Sequence, residues 1–96
     1  MDLKEIVSQK DKTIVDVRER FEFMLGHVKG AINIPLTMVP SHLEDFTKMN
    51  RPIVLYCRSG VRSGQATDFL KSKGFEQVYN GINRKEIEKY QAMSAS

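Results

Sequence analysis

The segment Cys57-Arg58-Ser59-Gly60-Val61-Arg62-Ser63 places the only cysteine of the chain among two arginines, two serines and a glycine. These types suit an anionic nucleophile. A tight loop leading from a strand into a helix aims several backbone N–H groups into one concavity, beside the positive end of the helix. Gly60 and Gly64 permit the turns and the close backbone approach that such a loop requires. A cysteine at its mouth would have its thiolate stabilised by those donors, by the helix dipole and by two permanent positive charges. Arg58 and Arg62 offer planar forks to an oxyanion such as the sulfonate end of thiosulfate. The thiolate would take the outer sulfur as a persulfide, sulfite would leave, and a second thiophile would collect the sulfur. Neither displacement draws a proton from a hydroxyl nucleophile, so the absence of a histidine near the loop in sequence is no obstacle. The bland alternative is a cysteine buried as a small apolar side chain. The composition of the loop argues against it.

Other residues invite chemical readings and mostly fit structural ones. Asp16 lies inside an apolar run, where a carboxylate needs partners, and is expected to anchor backbone N–H groups or an arginine rather than act as acid or base. Arg18 and Glu22, one helical turn apart, are expected to form a local pair. His27, between Gly26 and Val28, is expected to brace a loop by a hydrogen bond, and His42 to be solvated without a partner. No spacing of His, Asp and Cys resembles a metal site, and no cofactor is called for.

The elements that must position Cys57 follow from periodicity. Asp2 to Gln9 reads as a helix capped by Asp2, and Thr13 to Val17 as a buried β-branched strand. Arg18 to Leu25 reads as a short helix with Phe21, Met24 and Leu25 inward, ending at Gly26. Ala31 to Ile34 is a short strand stopped by Pro35, and Met38 to Met49 has near-helical apolar spacing. Ile53-Val54-Leu55-Tyr56 is apolar at four successive positions, which marks a strand covered on both faces. Arg62 to Lys73 reads as a helix with Ala66, Phe69 and Leu70 inward and Gly74 at its C′ position. Gln77 to Tyr79 reads as a strand and Asn83 to Ala92 as a closing helix, with a frayed tail over 93–96. Alternating strands and helices imply an α/β sandwich with helices on both faces of a parallel sheet. Ligands in such folds bind beyond the carboxyl ends of the strands, where Cys57 falls.

Two stretches then resemble the signatures of the rhodanese family. Ile14-Val15-Asp16-Val17-Arg18, Glu22-Phe23 and Gly26-His27-Val28-Lys29-Gly30-Ala31-Ile32-Asn33-Ile34-Pro35 resemble the first; Val54 to Ser63 resembles the active-site segment. The order and separation also match, and the resemblance spans roughly residues 2 to 92. It implies a three-layer sandwich with a five-stranded parallel sheet, Cys57 as the persulfide-bearing nucleophile, residues 58 to 63 as the substrate-binding cradle, and Asp16, Arg18 and His27 as its support. Related phosphatases and arsenate reductases carry one more residue before the closing arginine. The four residues between Cys57 and Arg62 imply a cradle sized for sulfur rather than phosphate. Many members have a Gly-Gly pair followed by tryptophan, where this chain has Asn80-Gly81 and Lys85.

The expected activity is therefore transfer of sulfane sulfur from a small anionic donor such as thiosulfate to cyanide, a small thiol or an acceptor protein. A relay or binding module serving a protein thiol is the competing class. The net charge of +3 is scattered, with no basic stripe to suggest nucleic acid, and no apolar run of about 18 residues spans a membrane. One domain of 96 residues, monomeric, is expected. The charged start Met1-Asp2-Leu3-Lys4-Glu5 opens a helix rather than a signal peptide, so a cytoplasmic location is expected, with an exported mature form the alternative.

Overall fold

In the computed structural model, which describes residues 2–94, a parallel sheet carries helices on both faces. The elements run α1 (Leu3–Val7), β1 (Thr13–Asp16), α2 (Arg20–Leu25), β2 (Ile32–Asn33), a 3-10 segment (Leu36–His42), α3 (Leu43–Lys48), β3 (Ile53–Cys57), α4 (Val61–Ser72), β4 (Val78–Asn83) and α5 (Arg84–Ser94). The strand order is β2-β1-β3-β4. Every residue of β3 is buried, as its unbroken apolar run requires of a central strand. Side chains alternate along it. Ile53, Leu55 and Cys57 enter a core shared with Phe46, Ala66 and Leu70, while Val54 and Tyr56 enter the opposite core with Ile6, Val7 and Ile87. That alternation puts the Cys57 side chain on the side of the sheet covered by α4.

The sheet has four strands, not the five implied by the resemblance. One edge ends at β2, only two residues long with Ile32 exposed. The N-terminal segment cannot extend the sheet because it is helical: the Asp2 carboxylate accepts the Glu5 N–H at 2.9 Å, and Ile6 and Val7 are buried against the core.

Four other expectations change. Met38 to Met49 is not one helix. Pro40 lacks an N–H and its ring crowds the preceding turn, so the chain takes the tighter 3-10 form through His42 and becomes α-helical from Leu43. Phe21, Met24 and Leu25 do not face inward; they are 65%, 71% and 86% exposed. Polar ties described below fix the rotation of α2, and Phe23 alone of its apolar residues packs on the core. The last strand runs on to Asn83 through an irregularity opposite Leu55 and Tyr56, with Ile82 at φ 71°. Of the expected frayed tail, residues 93–94 continue α5 and 95–96 lie outside the described residues.

Candidate active site

β3 ends on Cys57, and α4 starts four residues later at Val61. Gly60 makes the turn between them at φ 96°, a left-handed conformation that side chains with a Cβ adopt only under strain. A Cβ there would also stand 3.2 Å from Ile82 Cγ2. The turn directs two backbone donors at one atom: Gly60 N–H and Ser63 N–H point to Cys57 Sγ at 3.1 and 3.4 Å. The Ser63 hydroxyl lies 3.3 Å from the same sulfur. Burial pushes the Cys57 thiol up, but the Ser63 hydroxyl and the N–H groups of Ser63, Gly60 and Ser59 outweigh it. The net shift is below the ordinary cysteine value, toward the thiolate.

The arginines divide their labour. Arg62 makes a bidentate pair with Glu22, at 2.7 and 3.1 Å. Sequence spacing paired Glu22 with Arg18 instead; that pairing is not made. Arg18 reaches back to Asp16, with Nε 2.9 and 3.0 Å from the two carboxylate oxygens and a terminal nitrogen at 2.6 Å. The reason is geometric: Arg18 precedes α2 rather than riding on it, so the turn-apart spacing never forms. Arg58 makes no ion pair among the described residues; it lines a shallow hollow with Arg18, Phe21, Glu22, Leu25, Gly26 and Arg84. Val61 is 64% exposed at the mouth of the loop.

The supporting residues hold α2 over this loop. Asp16, fully buried, accepts the Arg18 backbone N–H at 2.9 Å as well as the guanidinium. Arg18 also donates to Gly26 O at 2.8 Å, fastening the end of α2. His27 stacks on Phe23, ring centroids 3.6 Å apart, and its Nδ1 lies 2.8 Å from Phe23 O, so it braces the loop. Below them Tyr56 accepts the Val28 N–H at 3.0 Å, and burial pushes its phenol up to about 12. His42 is not alone: its Nδ1 lies 2.8 Å from Asp45 on the surface, remote from the site. Among the described residues there is no metal-binding group of His, Cys, Asp and Glu.

Asn80 is the residue that sequence reasoning missed. Its amide donates to Gly60 O at 3.0 Å and accepts from the Ser63 hydroxyl at 2.7 Å, tying β4 to both ends of the turn. These partners lie 17 and 20 residues away, so no local pattern announces them. The only signal was the asparagine standing where a glycine was expected.

The Glu22–Arg62 pair gives a first expected result. Its hydrogen bond to Arg62 holds the Glu22 carboxyl down at about 2 against an ordinary 4.5. The contribution of the pair is therefore complete above about pH 4.5 and is lost as the pH falls toward 2. Glu22→Gln should cost about 1 kcal/mol or less at neutral pH, because the pair is partly exposed. Denaturant titrations at pH 7, 4 and 3 should show the gap between variant and parent narrowing as pH falls; a gap that stays constant excludes this linkage.

The Rhodanese-like domain family matches residues 1–82. A tRNA uridine(34) hydroxylase of Buchnera aphidicola is 36% identical over 83 residues, covering 81% of this chain and 27% of that protein. A sulfurtransferase of Allochromatium vinosum is 33% identical over 75 residues, covering 78% of this chain and 69% of its own. Among solved structures, a rhodanese with anions from E. coli superposes with a TM-score of 0.71 at 34% identity, covering 78% of this chain and 89% of the other. The chain thus spans about a quarter of the hydroxylase but over two thirds of the sulfurtransferase.

Proposed function

The chain belongs to the rhodanese-like sulfurtransferase family, and from that premise we propose that Cys57 carries sulfane sulfur as a persulfide between a thiosulfate-like donor and a thiophilic acceptor. The reading rests on one observation above all: loop N–H groups and a hydroxyl converge on Cys57 Sγ and favour its thiolate. The sulfonate of the donor sits in the hollow beside Arg58, the guanidinium left without an ion pair. Thiolate Sγ bonds to the outer sulfur, the S–S bond of thiosulfate breaks, and sulfite leaves with that electron pair. The terminal sulfur is then held by the loop donors until a thiophile attacks it and Cys57 departs again as thiolate. Charge balances at each step and no proton need move. Hydroxylation of tRNA is attributed to a protein of which this chain matches only 27%, and is not carried over.

Brief incubation with thiosulfate followed by intact-mass measurement tests the proposal. One added sulfur atom, removed by cyanide with formation of thiocyanate, is the expected result; an unchanged mass sinks the persulfide.

A second reading, delivery of the sulfur to a protein thiol, is favoured by the exposed apolar face of Phe21, Met24 and Leu25 beside the loop. Met24 does not line the Arg58 hollow; it borders a neighbouring groove with Arg20, Phe23 and Asn33. Met24→Glu should leave transfer to cyanide unchanged and slow transfer to a reduced dithiol protein by about tenfold if that face docks the acceptor. Equal rates with the dithiol protein for variant and parent would remove this reading.

A further inference from the structure

The Ser63 hydroxyl has one proton and two neighbours able to receive it. Its Oγ lies 2.7 Å from Asn80 Oδ1 and 3.3 Å from Cys57 Sγ. The orientation of the Asn80 amide is set by its other partners. Nδ2 donates to the Gly60 carbonyl at 3.0 Å, and Oδ1 accepts the Ile82 N–H at 2.9 Å. Turned over, the amide would set oxygen against oxygen and N–H against N–H. Oδ1 can therefore only accept from Ser63. With its proton on the Asn80 side, the hydroxyl presents lone pairs to the sulfur, which suits a thiol donating S–H and opposes a thiolate. To stabilise a thiolate the hydroxyl must turn, leaving Asn80 Oδ1 with the Ile82 N–H alone.

We propose that Asn80 is a positioning residue that competes with Cys57 for the Ser63 hydroxyl proton and thereby sets the proportion of reactive thiolate. The inference deepens the persulfide reading, since it concerns how the same sulfur is armed. When Sγ bonds to an outer sulfur it loses its negative charge and the proton returns to Asn80; when the persulfide is discharged, the thiolate draws it back. Gly64 makes room for this arrangement, because a Cβ there would stand 3.3 Å from Asn80 Nδ2. The charged groups near the loop are Arg62 with Glu22 from α4 and α2, Arg18 with Asp16 at the end of β1, Arg58 in the loop, and Arg84 from α5, and the ion pairs among them involve neither Ser63 nor Asn80.

The test is the pH dependence of Cys57 alkylation by iodoacetamide in the parent, Asn80→Ala, Ser63→Ala and the double variant, with thermal melts to confirm folding. Ser63→Ala should raise the midpoint by about half to one pH unit, the worth of one hydrogen bond to the charged form. Asn80→Ala should lower it by about half a unit, by freeing the hydroxyl for sulfur. The double variant should match Ser63→Ala alone, because without the hydroxyl Asn80 has nothing to compete for. A residue that merely braced Gly60 would shift both backgrounds alike, and that result, or a raised midpoint in Asn80→Ala, overturns the proposal. Should Asn80→Ala fail to fold, Asn80→Gly serves. It removes the same acceptor and should lower the midpoint by about as much, with no further change once Ser63 is alanine; an unchanged or raised midpoint, or an equal shift in both backgrounds, counts against the proposal. Alkylation needs no sulfur donor, so this inference and the persulfide reading can fail separately.

Discussion

Cys57→Ser is expected to abolish sulfur uptake from thiosulfate and to lower cyanide-dependent turnover by roughly 10³-fold or more, the scale of loss when a covalent nucleophile is removed. The substitution is conservative in every respect but one. Cys57 is 2% exposed at the end of β3, and serine fits that volume without a clash. A serine oxygen would still accept the N–H groups of Gly60 and Ser63 that now point at sulfur. What it lacks is ready access to the anion: a cradle that shifts a thiol toward its thiolate leaves a hydroxyl, far less acidic to begin with, protonated. A base would be needed, and both histidines are engaged elsewhere, His27 on Phe23 O and His42 on Asp45. A normal melting temperature together with an unchanged mass after thiosulfate treatment is the expected pair of results. A variant that still gained sulfur would place the carrier at some other group.

The second large effect concerns folding. Arg18→Ala should destabilise the protein by about 3–5 kcal/mol, because it leaves the buried Asp16 carboxylate without its counter-ion. In a domain of this size that corresponds to a fall in melting temperature of at least about 12 °C. Three features lie behind the magnitude. Asp16 is 0% exposed and receives the guanidinium edge-on. The same guanidinium fastens Gly26 O and rests 5.5 Å from the centre of the Tyr56 ring. Its removal also unfastens the end of α2, so Glu22 should hold Arg62 less firmly. Pairing Arg18→Met with Asp16→Asn is expected to regain much of the loss, since the uncompensated charge is then gone and an acceptor remains for the Arg18 backbone N–H. If the single variant melted within a few degrees of the parent, or the double variant lower than the single, the buried pair would not be what secures this corner.

The sequence alone determined that Cys57 closes a buried strand at the turn into a helix, among groups that favour its thiolate. An unbroken apolar run ending at Tyr56, then Cys57, a glycine three residues on and a long helix are local features, and local features survive in one dimension. The anchoring of Asp16 and the bracing by His27 were legible for the same reason: a buried carboxylate must find donors nearby, and a histidine in a glycine-flanked turn is close to its own backbone. The tertiary structure decided everything that depends on which distant groups meet. It gave Arg62 to Glu22 across 40 residues, released Arg58 toward the hollow, and turned the apolar stripe of α2 outward because polar ties, not burial, set its rotation. It ended the sheet at four strands, with β2 at one edge and β4 at the other. It also brought Asn80 against Ser63 and Gly60, a contact created only when β4 pairs with β3 through an irregular register. A helix or strand is selected by the repeat of its own residues, whereas a long-range polar contact is selected by the packing of the elements that carry its two ends. For that reason Cys57 could be read from the sequence, and the group that competes for its hydrogen bond could not.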